Sequence, residues 1–273
     1  MKIVILMEDT CGDPSCSYEH GLSVYVETKK HKLLIDTGAT DAFMRNAAKL
    51  GIDLTKVDTV ILSHGHYDHA GGILSFYEQN KTARIYMQRS ACGDHYHGER
   101  YIGIDKRIEK LDSVRMLDGD DRLDEELFLF SGITGREYFA ESNLALSKRD
   151  GGETIPDDFA HEQCLVITQD GENTLISGCA HNGILNIISR YRQMFAQDPV
   201  QVISGFHMMK KDAYTNEEAE TIKRTAQRLC GMETIFYTGH CTGDQAMQLM
   251  APILGEKLVR IHSGMIVKKS IEI

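Results

Sequence analysis

The segment Ser63–Gly72 holds the densest group of metal-binding side chains in this chain. Three imidazoles and one carboxylate fall within six positions of it: His64, His66, Asp68 and His69. A His-x-His pair directs two nitrogen donors to one point, and the Asp-His pair that follows supplies an oxygen and a nitrogen for a second point. Zinc, manganese and iron accept nitrogen and oxygen donors of this kind. The segment therefore predicts a site for two neighbouring divalent cations.

A short apolar run that ends in Ser or Thr and Gly, followed by a histidine, recurs later in the chain. The histidines of these segments are His181, His207, His240 and, in a looser pattern, His262. Apolar runs of this length bounded by glycine are typical of strands buried on both faces. A single histidine is more often a packed or solvated side chain than a ligand. Their repetition at strand ends predicts that several converge at one edge of a sheet.

The composition is that of one large domain over residues 1–273. Hydrophobic residues make up 42% of the chain, which is enough to bury a substantial core, and only four residues are proline. The formal charge of −10 disfavours nucleic acid as a partner. The sequence has neither the roughly 18 consecutive apolar residues of a membrane span nor a signal peptide. The seven cysteines lack zinc-finger spacing, which argues against a closed structural zinc site. Because their number is odd and no secretion signal is recognised, we expect reduced thiols in a cytoplasmic protein that does not enter a membrane.

Apolar patterns predict strands and helices in two stretches of the chain. The strands of the first stretch are Lys2–Met7, Leu22–Glu27, Lys32–Asp36, Val57–Leu62 and Arg84–Met87. Those of the second are Cys164–Thr168, Thr174–Ser177, Val200–Ser204, Thr234–Thr238, Lys257–Ile261 and Met265–Lys268. Helices are predicted over Asp41–Leu50 and Ala70–Asn80, after a cap at Asn182, and from a capping box at Thr215 to about Leu229.

Between about residues 88 and 163 the periodic pattern is lost, and we interpret this segment as an insertion or lid. Val114–Leu117 and Leu127–Phe130 are the strands predicted within it. We interpret His95 and His97 as part of a solvated lid surface. Seven basic residues of the segment would suit an anionic ligand near a metal site: Arg89, Arg100, Lys106, Arg107, Arg136, Lys148 and Arg149. The alternative is that acids of the same segment pair with these cations at the surface.

The motif and its surroundings resemble the metallo-β-lactamase fold superfamily, whose His-x-His-x-Asp-His signature is intact over His64–His69. Asp36-Thr37-Gly38 is similar to the Asp-Thr-Gly that follows an early strand in that family. Other segments are similar to motifs of the subgroup of dihydropterin ribofuranosyl-aminobenzene phosphate synthase-like hydrolases: Glu19–Ser23, Gly178–Ile184, Gly205–His207 and His240–Gly243. The resemblance implies an αββα sandwich, with two mixed β-sheets face to face, helices outside, and a dinuclear metal site at one edge.

The resemblance also assigns ligands to each metal ion. The implied sets are His64, His66 and His181 for the first ion, and Asp68, His69 and His240 for the second. Should His181 not bind metal, His161 is the next candidate. Asp36 would orient a ligand imidazole from behind. Many members carry a bridging aspartate where this chain has Cys179, so a thiolate ligand, a bridge of water alone and an inert packed cysteine all stay open here. Zinc is the expected metal, with manganese and iron as alternatives.

Two divalent cations about 3.5–4 Å apart can activate a shared water and polarise a carbonyl or phosphoryl oxygen. Asp68 is then placed to orient that water and accept its proton. His207 is interpreted either as a hydrogen-bond donor or general acid on the substrate side or as a structural histidine. His20 is a weaker candidate for the same role.

Together these residues predict a metal-dependent hydrolase, or a related transferase, for a small phosphorylated or ester-containing metabolite. The subgroup adds a pterin-related condensation as a candidate reaction. One alternative is a di-iron redox enzyme of the same fold, although such relatives resemble flavin-fused chains and carry a carboxylate at the position of Cys179. Another is a non-catalytic metal-binding module, against which the intact ligand set argues.

Overall fold

The computed structural model describes residues 1–267, in which the strands form three sheets. The first nine strands are β1 (Lys2–Met7), β2 (Ser23–Glu27), β3 (Lys32–Ile35), β4 (Thr59–Ile61), β5 (Arg84–Gln88), β6 (Asp94–His97), β7 (Arg100–Tyr101), β8 (Val114–Leu117) and β9 (Asp121–Arg122). The others are β10 (Leu127–Phe130), β11 (Leu146–Asp150), β12 (Glu153–Pro156), β13 (Cys164–Gln169), β14 (Glu172–Ile176), β15 (Gln201–Ile203), β16 (Ile235–Thr238), β17 (Leu258–Arg260) and β18 (Ile266–Val267). The sheet orders are β18-β1-β2-β3-β4-β5-β8, β17-β16-β15-β14-β13-β10-β9 and β12-β11-β6-β7.

The two seven-stranded sheets pack face to face through a shared apolar core. Ile5 and Val24 of the first sheet belong to the same buried cluster as Leu165, Ile176 and Ile203 of the second. Burial of each such side chain stabilises the fold by about 1.5–3 kcal/mol before entropy is counted. Both sheets mix parallel and antiparallel pairs, because β2 and β3 run antiparallel whereas β3 and β4 run parallel, and the second sheet changes in the same way at β14.

Helices cover the outer face of each sheet. The helices are α1 (Ala42–Lys49), α2 (Tyr67–Ala70), α3 (Ile73–Gln79), α4 (Ile184–Met194), α5 (Asn216–Cys230) and α6 (Asp244–Leu254). Phe43 and Phe76 pack on the first sheet, whereas Ile187, Ala226 and Met250 pack on the second. The predicted αββα sandwich is therefore confirmed. Within residues 1–267, no helix has both the length and the apolar character needed to cross a bilayer.

Two predicted helix boundaries are wrong, for identifiable reasons. The helix predicted over Ala70–Asn80 is divided into α2 and α3 by Gly71 and Gly72. A Cβ on Gly71 would lie 2.0 Å from the carbonyl oxygen of Ala39, so this turn needs glycine to pack closely. Asn182 does not cap α4, which begins after Gly183, because the Asn182 side-chain oxygen accepts from Arg136 instead. The capping box at Thr215 is confirmed.

The small four-stranded sheet lies within the segment in which the periodic pattern is lost. Its strands β6 and β11 read DHYH and LSKRD, which have no alternation of apolar and polar residues. Sequence analysis therefore missed them, as it missed α6. The predicted strands at Val114–Leu117 and Leu127–Phe130 are confirmed as β8 and β10. Lys268, at the end of the last predicted strand, lies outside the described residues.

The sheet topology brings the predicted ligands to one edge. β14, β15 and β16 run parallel, and their carboxyl ends lead to His181, His207 and His240. Carboxyl ends of parallel strands lie at a common edge, where ligands bind in many α/β folds. In the first sheet, β4 leads to His64, which lies against His181 of the second sheet. Gly178 makes the approach of the two sheets possible, because a Cβ there would lie 2.1 Å from Ser63 Oγ.

Candidate metal centre

His64 and His181 lie side by side at the first predicted metal position. Their Nε2 atoms are 3.3 Å apart, and both rings are buried. The ring centroid of His66 is 4.7 Å from that of His64 and 4.8 Å from that of His181. Burial, together with the neighbouring imidazoles, lowers the pKa of His64 and of His181 well below the ordinary value. Neutral imidazole is the form that binds a metal ion.

Asp68, His69 and His240 meet at the second predicted position. Asp68 Oδ2 is 3.7 Å from His69 Nε2 and 3.5 Å from His240 Nε2. Burial alone would raise the pKa of Asp68, but His69 and His240 outweigh it and hold that pKa below its usual range. The carboxylate is therefore ionised at neutral pH. One oxygen and two nitrogens at these separations can form one face of a coordination sphere.

Two ring nitrogens of these sets are buried without a hydrogen-bond partner in the described part of the chain. They are Nε2 of His66 and Nε2 of His240. A buried polar atom left unsatisfied costs about 1–3 kcal/mol, and native structures seldom keep one without a reason. Each of these nitrogens would gain a partner by binding its own divalent cation. The donor set of imidazoles and a carboxylate suits zinc, manganese and iron, so these residues fit a pair of cations.

Two aspartates orient ligand imidazoles from behind. Asp36 Oδ2 accepts a hydrogen bond from His69 Nδ1 at 2.7 Å, and Asp9 Oδ1 accepts one from His240 Nδ1 at 2.6 Å. Each contact leaves Nε2 of the ring to face the site. Asp36 also accepts hydrogen bonds from Ser63, at 2.7 Å from its backbone N–H and 2.6 Å from its hydroxyl. The sequence motif pointed to Asp36, whereas Asp9 was not recognised.

Replacing Asp36 by Asn should lower the affinity of the second cation by about 10- to 100-fold. Asn matches the shape of Asp and tolerates the φ of +57° at this position. Its amide keeps the oxygen that bonds the Ser63 N–H but turns an NH2 group towards His69 Nδ1. The proton of His69 would then move to Nε2, the nitrogen that faces the site. Calorimetric zinc titration of metal-free protein measures the change.

Asp41→Asn is the matched control for Asp36→Asn, because Asp41 is exposed in the next turn and pairs with Arg45. It should bind zinc as the unaltered chain does. An affinity of Asp36→Asn equal to that of the control would contradict the orienting role.

Glu162 fixes the loop that carries His181. Its carboxylate accepts hydrogen bonds from the backbone N–H groups of His181 and Asn182 at 2.6 and 3.0 Å. Asn143 supports the ring itself, since its Oδ1 is 3.0 Å from His181 Nδ1. Sequence analysis missed both residues, because they lie in segments without periodic pattern. These contacts leave His181 Nε2 directed at His64.

Cys179 lies between the two ligand sets. Its Sγ is 3.1 Å from His69 Nε2. The sulfur is within 4.8 Å of the ligand atoms of His64 and His181, and likewise of those of His69 and His240. Burial raises the pKa of Cys179 well above the ordinary thiol value, so the thiolate needs a cation to stabilise it. The sulfur stands where one ligand could contact both cations.

His161, the alternative to His181, takes a different place. Its ring centroid is 6.0 Å from that of His64, against 4.8 Å for His181. Its Nδ1 accepts a hydrogen bond from the backbone N–H of Gly65 at 2.9 Å. Of the two candidates, His181 is therefore the one that the fold brings beside His64.

His95 is 1% exposed, so the interpretation of this residue as part of a solvated surface is wrong. It belongs to a buried group with His66, Asp157 and His161, whose ligand atoms lie within 4.8 Å of one another. His97, two positions further along β6, is exposed as expected.

His207 and His20 flank the two ligand sets. The ring centroid of His207 is 4.1 Å from that of His181, and its Nδ1 is 3.1 Å from Ser142 Oγ. Burial lowers the pKa of His207 to about 3, which keeps the ring neutral. His20 Nε2 is 3.5 Å from Asp68 Oδ2, and half of its side chain is exposed. Both rings therefore lie beside the predicted metal positions.

Four residues at this edge have left-handed backbone although none is glycine: Asp36 (φ +57°), Ala180 (φ +51°), His207 (φ +46°) and His240 (φ +48°). Left-handed backbone is uncommon outside glycine, because Cβ approaches the following carbonyl oxygen. Each of these residues carries or adjoins a side chain of the site, so the sharp turns after the strands direct those side chains inwards.

Four of the seven cations that were considered for anion binding are paired with acids. The pairs are Arg89–Asp118, Lys106–Asp94, Arg107–Asp105 and Lys148–Asp158. Arg100 lies over the ring of Tyr67, 5.0 Å from its centroid, and Tyr67 follows His66 in the chain. An anionic group at the site would therefore depend on the cations themselves and on neighbours such as Arg100.

An αββα sandwich with buried histidines and carboxylates where its two sheets meet defines a class of metal-dependent proteins. The sequence model of the metallo-β-lactamase superfamily matches residues 18–191, and the chain belongs to that superfamily. This fold usually binds divalent metal ions, and the clustered histidines and aspartates agree with that property.

The chain is similar to known proteins along nearly its whole length. A 7,8-dihydropterin-6-methyl-4-(β-D-ribofuranosyl)-aminobenzene-5'-phosphate synthase from Methanocaldococcus jannaschii is 29% identical, over 98% of this chain and 96% of the relative. The solved structure of Tm1679, described as a metal-dependent hydrolase of the β-lactamase superfamily, has a TM-score of 0.83 and 30% identity, covering 99% of this chain and 100% of that one. Zinc-bound PqqB from Methylobacterium extorquens shares the fold, with a TM-score of 0.61 and 13% identity over 98% of this chain and 100% of PqqB.

Proposed function

We propose that the chain is a dinuclear metal-dependent hydrolase that acts on a small anionic ester, with phosphoesters as the first candidates. One observation carries the proposal: two buried histidine pairs, His64 with His181 and His69 with His240, both come within 4.8 Å of Cys179, and Nε2 of His240 lacks a hydrogen-bond partner among residues 1–267. The likeness to a metal-dependent hydrolase at 30% identity supports the same reaction class.

The two ligand sets would each hold one cation, with Cys179 between them. The sets are His64, His66 and His181, and Asp68, His69 and His240. When bound, the cations lower the pKa of water and polarise a phosphoryl or carbonyl oxygen. Asp68 carries an ionised carboxylate beside His69 and His240, so it would orient the attacking water and accept its proton.

His207 would bind the substrate through Nε2. Because the single hydroxyl proton of Ser142 is donated to the backbone oxygen of His207, Ser142 Oγ accepts from His207 Nδ1–H. The neutral ring then presents Nε2 as an acceptor rather than the donor that sequence analysis proposed. A substrate hydroxyl or a protonated phosphate oxygen is a suitable partner.

A cavity of about 220 Å³ beside His207 would receive the rest of the substrate. Its lining includes Ser142 and the aromatic rings of Tyr138, Phe139 and Tyr214. Lys210 also lines it, paired with Glu218 at 2.7 Å. This volume and these walls suit a small metabolite with an apolar or planar part.

A related transferase is the second candidate function. The 29% identity to a pterin-related synthase, over nearly all of both chains, supports it, as do the aromatic walls of the cavity. In that reaction the metal ions would activate a diphosphate leaving group, and an amine or carbon nucleophile would replace water. The same side chains would position the substrate.

A substrate panel tests the proposal. Zinc- or manganese-loaded protein should hydrolyse at least one member of a set of phosphomonoesters, phosphodiesters, lactones and thioesters. We expect competitive inhibition by millimolar phosphate or diphosphate. His207→Ala should raise KM or lower kcat without loss of metal, whereas His31→Ala, which alters a ring paired with Asp58 and Asp124 at the turn between β2 and β3, should leave both constants unchanged.

Three outcomes would count against this proposal in different ways. Turnover of neutral lactones or thioesters without phosphate inhibition would favour an acyl-ester hydrolase on the same site. Turnover only with a pterin diphosphate and an amine would favour the transferase. Protein that holds its full metal content but hydrolyses no substrate of the panel would favour a non-catalytic metal-binding module.

A further inference from the structure

A second buried group of ligand-type side chains lies beside the candidate centre. His95, on β6, and Asp157 and His161, between β12 and β13, converge with His66. The side chains of His95, Asp157 and His161 are at most 2% exposed. The function proposed above has no use for these three residues.

The two histidines point their nitrogens at one carboxylate oxygen. Asp157 Oδ2 is 2.8 Å from His95 Nδ1 and 3.3 Å from His161 Nε2. The N–H of Gly65 occupies His161 Nδ1, which fixes Nε2 as the nitrogen that faces Asp157. Bonds of about 2.0–2.1 Å in a tetrahedral zinc site place ligand atoms about 3.4 Å apart. The His161–Asp157 separation already matches this value, and the His95–Asp157 separation would open by about 0.6 Å to admit the ion.

His66 supplies a further nitrogen to this group. One of its ring nitrogens lies within 4.8 Å of the ligand atoms of the other three residues. Its Nε2 is buried and has no hydrogen-bond partner among the described residues. The ring stands between the two groups, with its centroid 4.8 Å from that of His181 and 5.2 Å from that of His161.

The charge of the group also favours a cation. The side chain of Asp157 is fully buried, and its Oδ2 lies against ring nitrogens of His95 and His161. Buried carboxylates are usually paired with a cationic group or bound to a metal.

We propose that His95, Asp157 and His161, completed by His66, bind a third divalent cation. Four protein ligands make a closed site, which is typical of structural zinc, whereas catalytic sites keep an open position. An imidazole that binds cations through both nitrogens is an imidazolate, and His161, whose Nδ1 accepts from Gly65, carries its proton on Nε2. His66 and His161 would therefore each release one proton to solvent on binding the third ion, while the His95 proton would move from Nδ1 to Nε2, which faces the backbone oxygen of Ser90. The ion would link the small sheet, through His95 on β6, to His66 in the segment that follows β4.

Metal stoichiometry tests this proposal. Chelator-stripped protein is reloaded with zinc, desalted and assayed by elemental analysis. The unaltered chain should hold about three ions, and His95→Gln and Asp157→Asn about two each. His97→Gln, an exposed residue of the same strand, should keep about three. His240→Ala should lose one ion from the second set, and His240→Ala with His95→Gln should hold about one.

Anomalous diffraction at the zinc edge locates the ions, and circular dichroism identifies variants that do not fold. A peak enclosed by His95, Asp157 and His161 would support the third site. Two ions in the unaltered chain, no peak at this position, or an unchanged count in folded His95→Gln would overturn it. Since the dinuclear proposal fails only if fewer than two ions bind or if His240→Ala loses none, the two failures are distinguishable.

Discussion

Asp68→Asn should lower turnover by about 10²- to 10⁴-fold while the chain stays folded. The variant keeps the shape of the side chain and one oxygen donor, but it removes the negative charge and the proton acceptor. Asp68 Oδ2 lies 3.5–3.7 Å from Nε2 of His20, His69 and His240, so an amide there would contact every group of the second set. Steady-state kinetics on a substrate found in the panel, with metal content measured in parallel, checks this expectation.

The matched control for Asp68→Asn is Asp118→Asn, because Asp118 is an exposed carboxylate paired with Arg89. We expect turnover of that control to equal that of the unaltered chain. Turnover of Asp68→Asn within about twofold of the control would remove Asp68 from the proton transfer, a step that general-base catalysis usually accelerates at least 100-fold.

Cys179→Ser should abolish the sulfur-to-cobalt charge-transfer absorbance of cobalt-loaded protein and weaken metal binding by at least about tenfold. Partners that only support a ligand typically contribute 10- to 100-fold to affinity, and a direct ligand should contribute no less. The serine hydroxyl is a poorer ligand because it resists deprotonation. Near-ultraviolet spectra and competition with a chelator measure the two effects.

Cys92→Ser provides the control for Cys179→Ser, since Cys92 is half-buried and belongs to none of the ligand groups found in residues 1–267. Its cobalt spectrum should match that of the unaltered chain. If the charge-transfer band is missing from the unaltered chain as well, Cys179 is a packed thiol and the cations share only water.

The His64–His69 motif and the sandwich could be predicted from sequence because their signals are local. An apolar strand followed by His-x-His-x-Asp-His spans a dozen residues, and the capping box of α5 needs only Thr215 and Glu218. The convergence of His181 and His240 could also be anticipated, because glycine-bounded apolar runs predicted buried strands whose ends could share one edge of a sheet. Each of these inferences depends on residues close together in the chain.

The remaining contacts could not be predicted, because they join distant residues that have no local pattern. Asp9 and His240 are 231 positions apart, and nothing near Asp9 marks it as the partner of a histidine. His95 and Asp157 are separated by 62 positions and lie in polar strands or loops. A buried histidine in a polar strand has the same sequence signature as an exposed one, which is why His95 was assigned to the surface.

The left-handed residues at the metal edge also bear on how this chain could be changed by selection. Each such residue lowers the free energy of unfolding by about 1–2 kcal/mol relative to ordinary backbone. The sum for the four residues is comparable with the net stability of a small domain. Glycine would remove the cost, but at Asp36, His207 and His240 it would also remove the side chain. Ala180 is the exception among the four, so laboratory evolution for heat tolerance should accept glycine at position 180 and retain the other three residues.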